Sequence, residues 1–534
     1  MNENSLDTLL SKIGEFGRYQ IRVITLLLLV IAFSYVASIS WLFETKNLNY
    51  RCSIPECDED VLDLKPAWWT NAIPSISNEP AKCSRFKSIG NINGTNCSSI
   101  DFDKNILLAC DEYIYETSER SILQDFNLHC DENLWKLTTV GTLNSIGSLI
   151  GLPLIGILSD KYGRKTILIN SILLCAISGL IRSFVNSYIF YMVMVFVDSF
   201  FNAATYTTAF TLAVEFISPK QRVIVVSLIS LFYAFGGVIT GTVAWLLQSW
   251  RPLLQILYGV QLLIVTYYWL LPESVRWLLI KERYLEAQKI LNDIGREKQF
   301  NVPLQTLKDL QAPVDQLVDA ADVNTTLKQF FKSFALTTRL INCIFCWIVA
   351  VFVYQGLTIN SVALSTNTYF DFILTVLIEV PGALATFFVM KTFGRRFTLC
   401  FSFFMCSICC ISFIFIPQDL YWLRLCIYLL GKCFSAMDFS VMYAITTEMF
   451  PTPLRNLLLS VCSMFARTGS MIAPHIPLLE LIWKPLPLIL FGITSLMSGV
   501  LCLKFPETKD VKLPDTIDES ISIGTKKEIT RCNT

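Results

Sequence analysis

Gly156-Ile157-Leu158-Ser159-Asp160-Lys161-Tyr162-Gly163-Arg164-Lys165 is a polar turn set between two apolar runs, at 137–158 and 166–186. Each run is long enough for a helix to cross a hydrocarbon core, which takes roughly 17–25 residues. The cations Lys161, Arg164 and Lys165 place the turn on the cytosolic side, where Lys and Arg collect. Working outward, further runs lie at 22–43, 188–214, 223–247, 253–271, 336–358, 368–390, 397–416, 420–446, 456–479 and 486–505. That makes twelve, six on each side of a charged stretch at 272–335. The expectation is an all-α membrane protein of twelve transmembrane helices in two six-helix halves.

Composition agrees. Of 534 residues, 53% are hydrophobic and only 16% charged, with mean hydropathy +0.52. Soluble chains carry about a quarter charged residues, so lipid is the expected solvent. The 43 basic and 43 acidic residues cancel, which argues against a nucleic-acid partner. The two histidines, His129 and His475, are far apart. A histidine-rich metal site or a Ser-His-Asp hydrolase is therefore not expected. No Gly-rich phosphate loop is present, and no enzyme activity or cofactor is implied. Residues 1–20 are polar and run into a full-length span without a small-residue cleavage site, unlike a signal peptide.

Lys220 and Arg222 follow the fourth run, Lys391, Arg395 and Arg396 the eighth, and Arg455 the tenth. The opposite short connections are nearly free of cations. Orientation then puts the N-terminus (1–21), the central loop (272–335) and the tail (506–534) in the cytosol. The first half (22–271) carries a long external segment, 44–134, and the second half spans 336–505. The external segment holds six of the eighteen cysteines, Cys52, Cys57, Cys83, Cys97, Cys110 and Cys130, and the sequons at Asn93 and Asn96. Disulfides and glycosylation are expected there, with the pairing open among 15 connectivities. The sequon at Asn324 falls in the cytosol and should stay bare. In the central loop, Tyr284, Ala287, Leu291 and Ile294 recur at helical spacing, with Gly295 placed to end a helix.

The charges repeat. Glu215 and Arg222 after the fourth run match Glu448 and Arg455 after the tenth, at an offset of 233; Gly163-Arg164-Lys165 matches Gly394-Arg395-Arg396 at 231. Two motifs at nearly one offset imply parallel repeats, with a substrate site between the halves near the midplane. Topology alone needs only the cations. The acids Asp160, Glu215 and Glu448 point to state-dependent pairs that gate the two faces.

These residues resemble the major facilitator superfamily, whose signature between the second and third spans is G-x-x-x-D-[RK]-x-G-R-[RK]. Leu271-Pro272-Glu273-Ser274-Val275-Arg276-Trp277-Leu278 resembles its P-E-S-P-R-W-L motif. Three features are similar to the organic cation, carnitine and organic anion transporter family: the six-cysteine external loop, the opening Asp7-x-x-Leu10-x-x-x-Gly14-x-Phe16-Gly17-Arg18-Tyr19-Gln20, and Thr447-Glu448-Met449-Phe450-Pro451-Thr452 with Arg455. Val353-Tyr354-Gln355-Gly356-Leu357 is closer to that family's V-Y-Y-G-L than to the Gln-rich seventh span of sugar porters. The resemblance implies a plasma-membrane carrier of small organic ions, coupled or not to sodium or protons. A sugar-porter-like carrier and a transport-inactive receptor stand as alternatives.

Depth follows from a helical rise of about 1.5 Å per residue. Arg467 lies roughly 18 Å beyond Arg455, near mid-membrane, with Asp438 and Glu379 at similar depth. Intramembrane charges are functional candidates by default. Arg467 breaks the repeat, since its counterpart is Ala234. The resemblance makes the matching position Arg in anion and carnitine transporters and acidic in cation transporters. A guanidinium grips a carboxylate bidentately, so an anion or zwitterion is the leading expectation. Against it, Asp438 would neutralise Arg467 as a structural pair, or Glu379 and Asp438 together would host a cation. Lys432, higher in the tenth run, is expected to snorkel outward. Arg182 and Asp198 are expected to form a hairpin salt bridge. Tyr35, Tyr206, Tyr233, Tyr354 and Tyr443 fall on pathway-lining spans, with Asn202 and Gln355 nearby.

Overall fold

The structure is a computed structural model that describes residues 17–523 apart from 56, 59–62, 77–78, 90–96, 218–220, 297–301, 310–326, 364–366, 418, 510, 512–513 and 515. Asp7, Leu10, Gly14 and Phe16 of the opening motif, Lys220, and the sequons at Asn93, Asn96 and Asn324 lie outside the described residues.

Eleven helices among the described residues are long and apolar enough to cross a membrane. They are α1 Arg18–Glu44, α2 Asp131–Tyr162, α3 Arg164–Ser183, α4 Tyr188–Glu215, α5 Ile224–Leu247, α6 Trp250–Leu270, α7 Phe334–Asn360, α8 Thr368–Phe393, α9 Arg395–Phe415, α10 Tyr421–Met449 and α11 Leu457–Leu481. The twelfth, α12 Leu486–Cys502, has 17 residues and completes two sets of six. Several helices outrun their apolar runs, because the turns at their ends are polar yet still helical. In the central segment Tyr284–Gly295 is a helix whose Ala287, Leu291 and Ile294 are buried against the first six-helix set.

Each half begins its third helix on a glycine that no other residue replaces cheaply. Gly163 has φ 107° and Gly394 φ 92°, a region that disfavours any Cβ. A Cβ at either position would also collide with a carboxylate, Glu273 at the first and Glu507 at the second.

The external segment is not helical. β1 (Tyr50–Cys52) pairs antiparallel with β6 (Tyr113–Tyr115), β2 (Ser75–Ile76) with β3 (Glu79–Pro80), and β4 (Ser84–Ser88) with β5 (Phe102–Ala109). The all-α description thus holds for the membrane part; four of these strands have two or three residues, and the longer β4 and β5 show no alternation of buried and exposed positions. The six cysteines pair as Cys52–Cys110, Cys57–Cys97 and Cys83–Cys130, stapling a small core that includes Ile54, Ile73 and Phe102.

His129 closes this cap. Its ring stacks on Tyr113 at 3.9 Å and meets the Tyr115 hydroxyl at 2.6 Å. Burial lowers its pKa below the usual 6.5, so the folded cap favours the neutral ring. Unfolded chain takes up the proton first. The stabilisation is therefore present above about pH 6.5 and is lost as pH falls below it. Hydrogen exchange of the cap should be faster at pH 5.5 than at 7.5, and His129→Phe should flatten the difference. Equal exchange at both values in the unaltered protein would remove His129 from that role.

The two halves meet toward the loop-bearing end. Thr142 donates to the Met471 carbonyl at 2.9 Å, Ser145 to that of Ser470 at 3.0 Å, and His475 sits 2.9 Å from both Thr138 and Thr142. Lys46 reaches Thr368 at 3.0 Å while pairing with Glu119 at 2.6 Å. Phe43 packs on Tyr369 and Phe372. These five hydrogen bonds join the two halves in this region. At the end carrying the charged motifs, Arg164 pairs with Glu215 of its own half and Arg395 with Glu448 of its own.

Candidate substrate site and gating networks

Two matching networks lie at the charged-motif end. In the first half, Arg164 pairs with Glu215, which also accepts the Ser274 hydroxyl at 2.5 Å. Glu273 accepts the amide of Lys165 at 3.0 Å, and the Trp277 indole donates to the Asp160 carbonyl at 2.9 Å. The Lys165 ammonium caps the Tyr268 carbonyl at 2.8 Å. Asp160 and Arg276 are near enough to Arg164 to act on it electrostatically. In the second half, Arg395 pairs with Glu448 at 3.0 Å, and Glu448 accepts the Thr508 hydroxyl at 2.6 Å. Glu507 accepts the amides of Arg395 at 2.8 Å and Arg396 at 3.1 Å; the Arg396 guanidinium donates to the Leu503 carbonyl. Arg222 opens its helix and Arg455 lies in the first turns of its own, both at this same end.

Glu507 is the group that motif reading missed. Its signal is present: Pro506-Glu507-Thr508 repeats Pro272-Glu273-Ser274. Each carboxylate takes amides at the start of a helix, where the first N–H groups lack partners and the dipole favours an anion. Glu507→Gln should lower transport about tenfold at equal surface abundance, as loss of a charge-assisted hydrogen-bond pair predicts, and Glu273→Gln should do the same. Full activity in both would show that neither carboxylate holds its turn.

At mid-depth the charges separate into distinct environments, and three expectations change. Asp438 does not pair with Arg467: it is 2% exposed and accepts the Ser402 hydroxyl on α9. Equal depth on adjacent helices did not mean a shared face. Lys432 does not snorkel. It is fully buried, with its ammonium 3.0 Å from Glu379 Oε1, 3.0 Å from the Tyr354 carbonyl and 2.7 Å from Thr358 Oγ1. A carboxylate one helix away outcompetes the interface. Glu379 is thereby neutralised, and its Oε2 accepts the Tyr354 hydroxyl at 2.8 Å. Glu379 and Asp438 consequently form no common cation site.

Arg467 stands apart, half-buried, with no ion pair or hydrogen bond from its guanidinium to a described residue. It acts electrostatically on Tyr233 and Tyr443. Tyr233 belongs to the first half and Tyr443 to the second, so Arg467 has a tyrosine of each half within electrostatic reach. Around Tyr233 the rings of Tyr35 and Tyr206 stand edge-on at 4.6 and 5.3 Å. Across from them, Tyr443 packs on Trp347 at 4.6 Å and Phe439 at 5.3 Å, and Phe439 stacks on Tyr354 at 5.7 Å. A cation without an ion pair to a described residue, with tyrosines of both halves in electrostatic reach, suits a carboxylate attached to an apolar body.

Asn202 is not part of this ring. Its amide donates to the Ser34 carbonyl and the Ser38 hydroxyl, both at 3.0 Å, tying α4 to α1. Gln355 is half-buried and its amide has no partner among the described residues.

Arg182 and Asp198 do form the expected bridge, at 3.1 Å, within a larger knot. Arg182 also holds Glu44 at 3.0 Å, while Tyr191 donates to Glu44 at 2.7 Å and Tyr258 to Asp198 at 2.6 Å. The three charged side chains are fully buried, and the knot ties four helices of the first half near the loop-bearing end.

Residues 108–518 match the family described as sugar (and other) transporter. The organic cation transporter protein of Drosophila melanogaster is 30% identical over 536 residues, covering 97% of this chain and 95% of its own. Solute carrier family 22 member 2 of Homo sapiens is 28% identical over 535 residues, covering 97% and 95%. A partially occluded inward open conformation of the xylose transporter XylE from E. coli superposes with TM-score 0.60 at 15% identity, over 93% of this chain and 100% of that one; this likeness bears on the fold. With its two six-helix sets and repeated charged turns, the chain belongs to the organic cation, carnitine and organic anion transporter family of the major facilitator superfamily, and is a multi-pass membrane transporter, not an enzyme.

Proposed function

We propose that this protein carries small organic ions bearing a carboxylate, anions or zwitterions, across the plasma membrane by alternating access, with both termini in the cytosol. The observation that carries the reading is Arg467, which has no ion pair with a described residue and acts electrostatically on a tyrosine of each half. The acids at that depth are engaged elsewhere, Glu379 by Lys432 and Asp438 by Ser402. An uncompensated intramembrane cation is costly and is retained where a ligand supplies the counter-charge.

The hydrogen bonds joining the halves near the loop, set against the Arg164–Glu215 and Arg395–Glu448 pairs that each lie within one half at the other end, support an inward-facing conformer. Rocking would break the His475 and Lys46 contacts and bring the Arg164/Glu215 and Arg395/Glu448 networks together. Asp160, Lys165, Arg222, Glu273, Arg276, Arg396 and Arg455 belong to the same gate in this reading.

A second reading, cation transport, is favoured by the name of the Drosophila relative, an organic cation transporter protein, and by the tyrosine faces, which attract quaternary ammonium. Uptake of a labelled aromatic carboxylate, tetraethylammonium and a hexose, with and without sodium and a pH gradient, separates the readings. Carboxylate uptake without the other two is the expected result. Uptake of tetraethylammonium alone would overturn the carboxylate reading in favour of the cation one.

A further inference from the structure

The external cap is rooted in one half and holds the other. Its stem is a two-stranded ribbon in which β1 and β6 pair Tyr50 with Tyr115. Carried four residues further, that register sets Lys46 opposite Glu119, and the two side chains meet at 2.6 Å. Just past Glu119, the Arg120 amide donates to the Gln248 carbonyl at 2.9 Å and the Trp250 amide to the Arg120 carbonyl at 3.2 Å. The stem is thereby fixed to the corner between α5 and α6, in the first half.

From that base Lys46 reaches the second half. Its ammonium donates to the Thr368 hydroxyl at 3.0 Å and lies 4.6 Å from the centre of the Tyr369 ring; these two residues open α8. Glu119 hydrogen-bonds Tyr369 as well. A neutral pair makes these contacts, and the pair stays whole when the halves part. Lys46 then keeps Glu119 and gives up only a hydroxyl and a ring face, so no charge is stranded and release is cheap. A cavity of about 10 Å³, room for one water, is lined by Phe43, Lys46, Glu119, Gln248, Trp250 and Tyr369. The clasp therefore closes a polar seam that water can enter, not a packed core.

We propose that the stem of the external cap is the outer latch of the carrier: it travels with the first half and clasps the start of α8 when the outer side is closed. The strength of that clasp sets the share of outward-open protein. The latch rests on the alternating-access reading and names a contact that sets its balance.

Pulsed electron spin resonance on the purified full-length protein tests it. Spin labels on bio-orthogonal ketone residues, which spare the native cysteines, replace Ser187 of the first half, Asp419 of the second and Lys104 of the cap, all exposed. Ser187–Asp419 should show two distances, the longer one for the open outer side, while Lys104–Ser187 shows one. Thr368→Val/Tyr369→Leu, which spares the Lys46–Glu119 pair, should raise the ratio of long to short at least about fivefold. Lys46→Met should act in the same direction, and the triple variant should go no further, because the contact is already lost. Where Tyr369→Leu disturbs folding, Thr368→Val alone keeps the side-chain shape and should still raise the ratio about twofold. Two Ser187–Asp419 distances whose ratio no variant moves, shifts that simply add, or a Lys104–Ser187 distance that splits would overturn the latch and leave alternating access intact. A single Ser187–Asp419 distance in every sample would instead overturn the alternating-access reading, and the latch with it.

Discussion

Arg467→Asp is expected to cut uptake of a carboxylated substrate by at least about a hundredfold, because it removes a bidentate charge-assisted pair and puts a like charge in its place. Tetraethylammonium uptake should persist or rise in the same variant. The argument is electrostatic and local. Arg467 forms no pair with a described residue, so no acid is orphaned by its removal and folding is not the first thing lost. Initial uptake rates, normalised to protein at the cell surface, give the comparison. Undiminished carboxylate uptake would take Arg467 out of the mechanism.

The second large effect concerns folding. Arg182 is the sole cation of a knot whose acids, Glu44 and Asp198, are fully buried with it. Arg182→Met would leave both carboxylates uncompensated, and breaking a buried pair in this way costs about 3–5 kcal/mol. Surface protein should fall to near background, and the detergent-solubilised fraction should melt at a markedly lower temperature. Glu44→Gln should be milder, since one acid then faces one base and Tyr191 can still donate to the amide oxygen. Asp198→Asn should fall between them, because Asp198 takes Tyr258, Cys175 and Arg182 together. The rank order separates a charge-balanced knot from a mere packing cluster. Normal abundance of Arg182→Met would contradict it.

The contrast between these two arginines shows what one sequence makes legible. Apolar run length located the spans, and the spacing of Gly163-Arg164 and Gly394-Arg395 exposed the repeat, because both signals are local in the chain. Depth was legible too, since a helix converts residue count into distance. Direction around the helix axis was not. Arg467, Asp438 and Lys432 all count out to intramembrane depth, yet Arg467 pairs with no described acid, Asp438 meets Ser402, and Lys432 meets Glu379. Those azimuths follow from how α8, α9 and α10 pack, which no single run encodes. Asn202 misled for a related reason: an amide inside a membrane helix serves equally as a ligand contact or as a tie between helices. Glu507 was legible as a third instance of the repeat, since Pro506-Glu507-Thr508 stands where the offset requires it. The strands of the external cap were not: four have only two or three residues, and the longer β4 and β5 lie mostly outside the small core, so a cap held by disulfides shows no hydrophobic alternation.

A structure of the protein with a labelled aromatic carboxylate bound tests the central claim most directly, since it locates the ligand's charge without relying on rates or expression. The account requires the carboxylate oxygens within about 3 Å of the Arg467 guanidinium, with the apolar body among the tyrosines of the two halves. A carboxylate resting elsewhere, with Arg467 turned to lipid or paired to a protein acid, would contradict it.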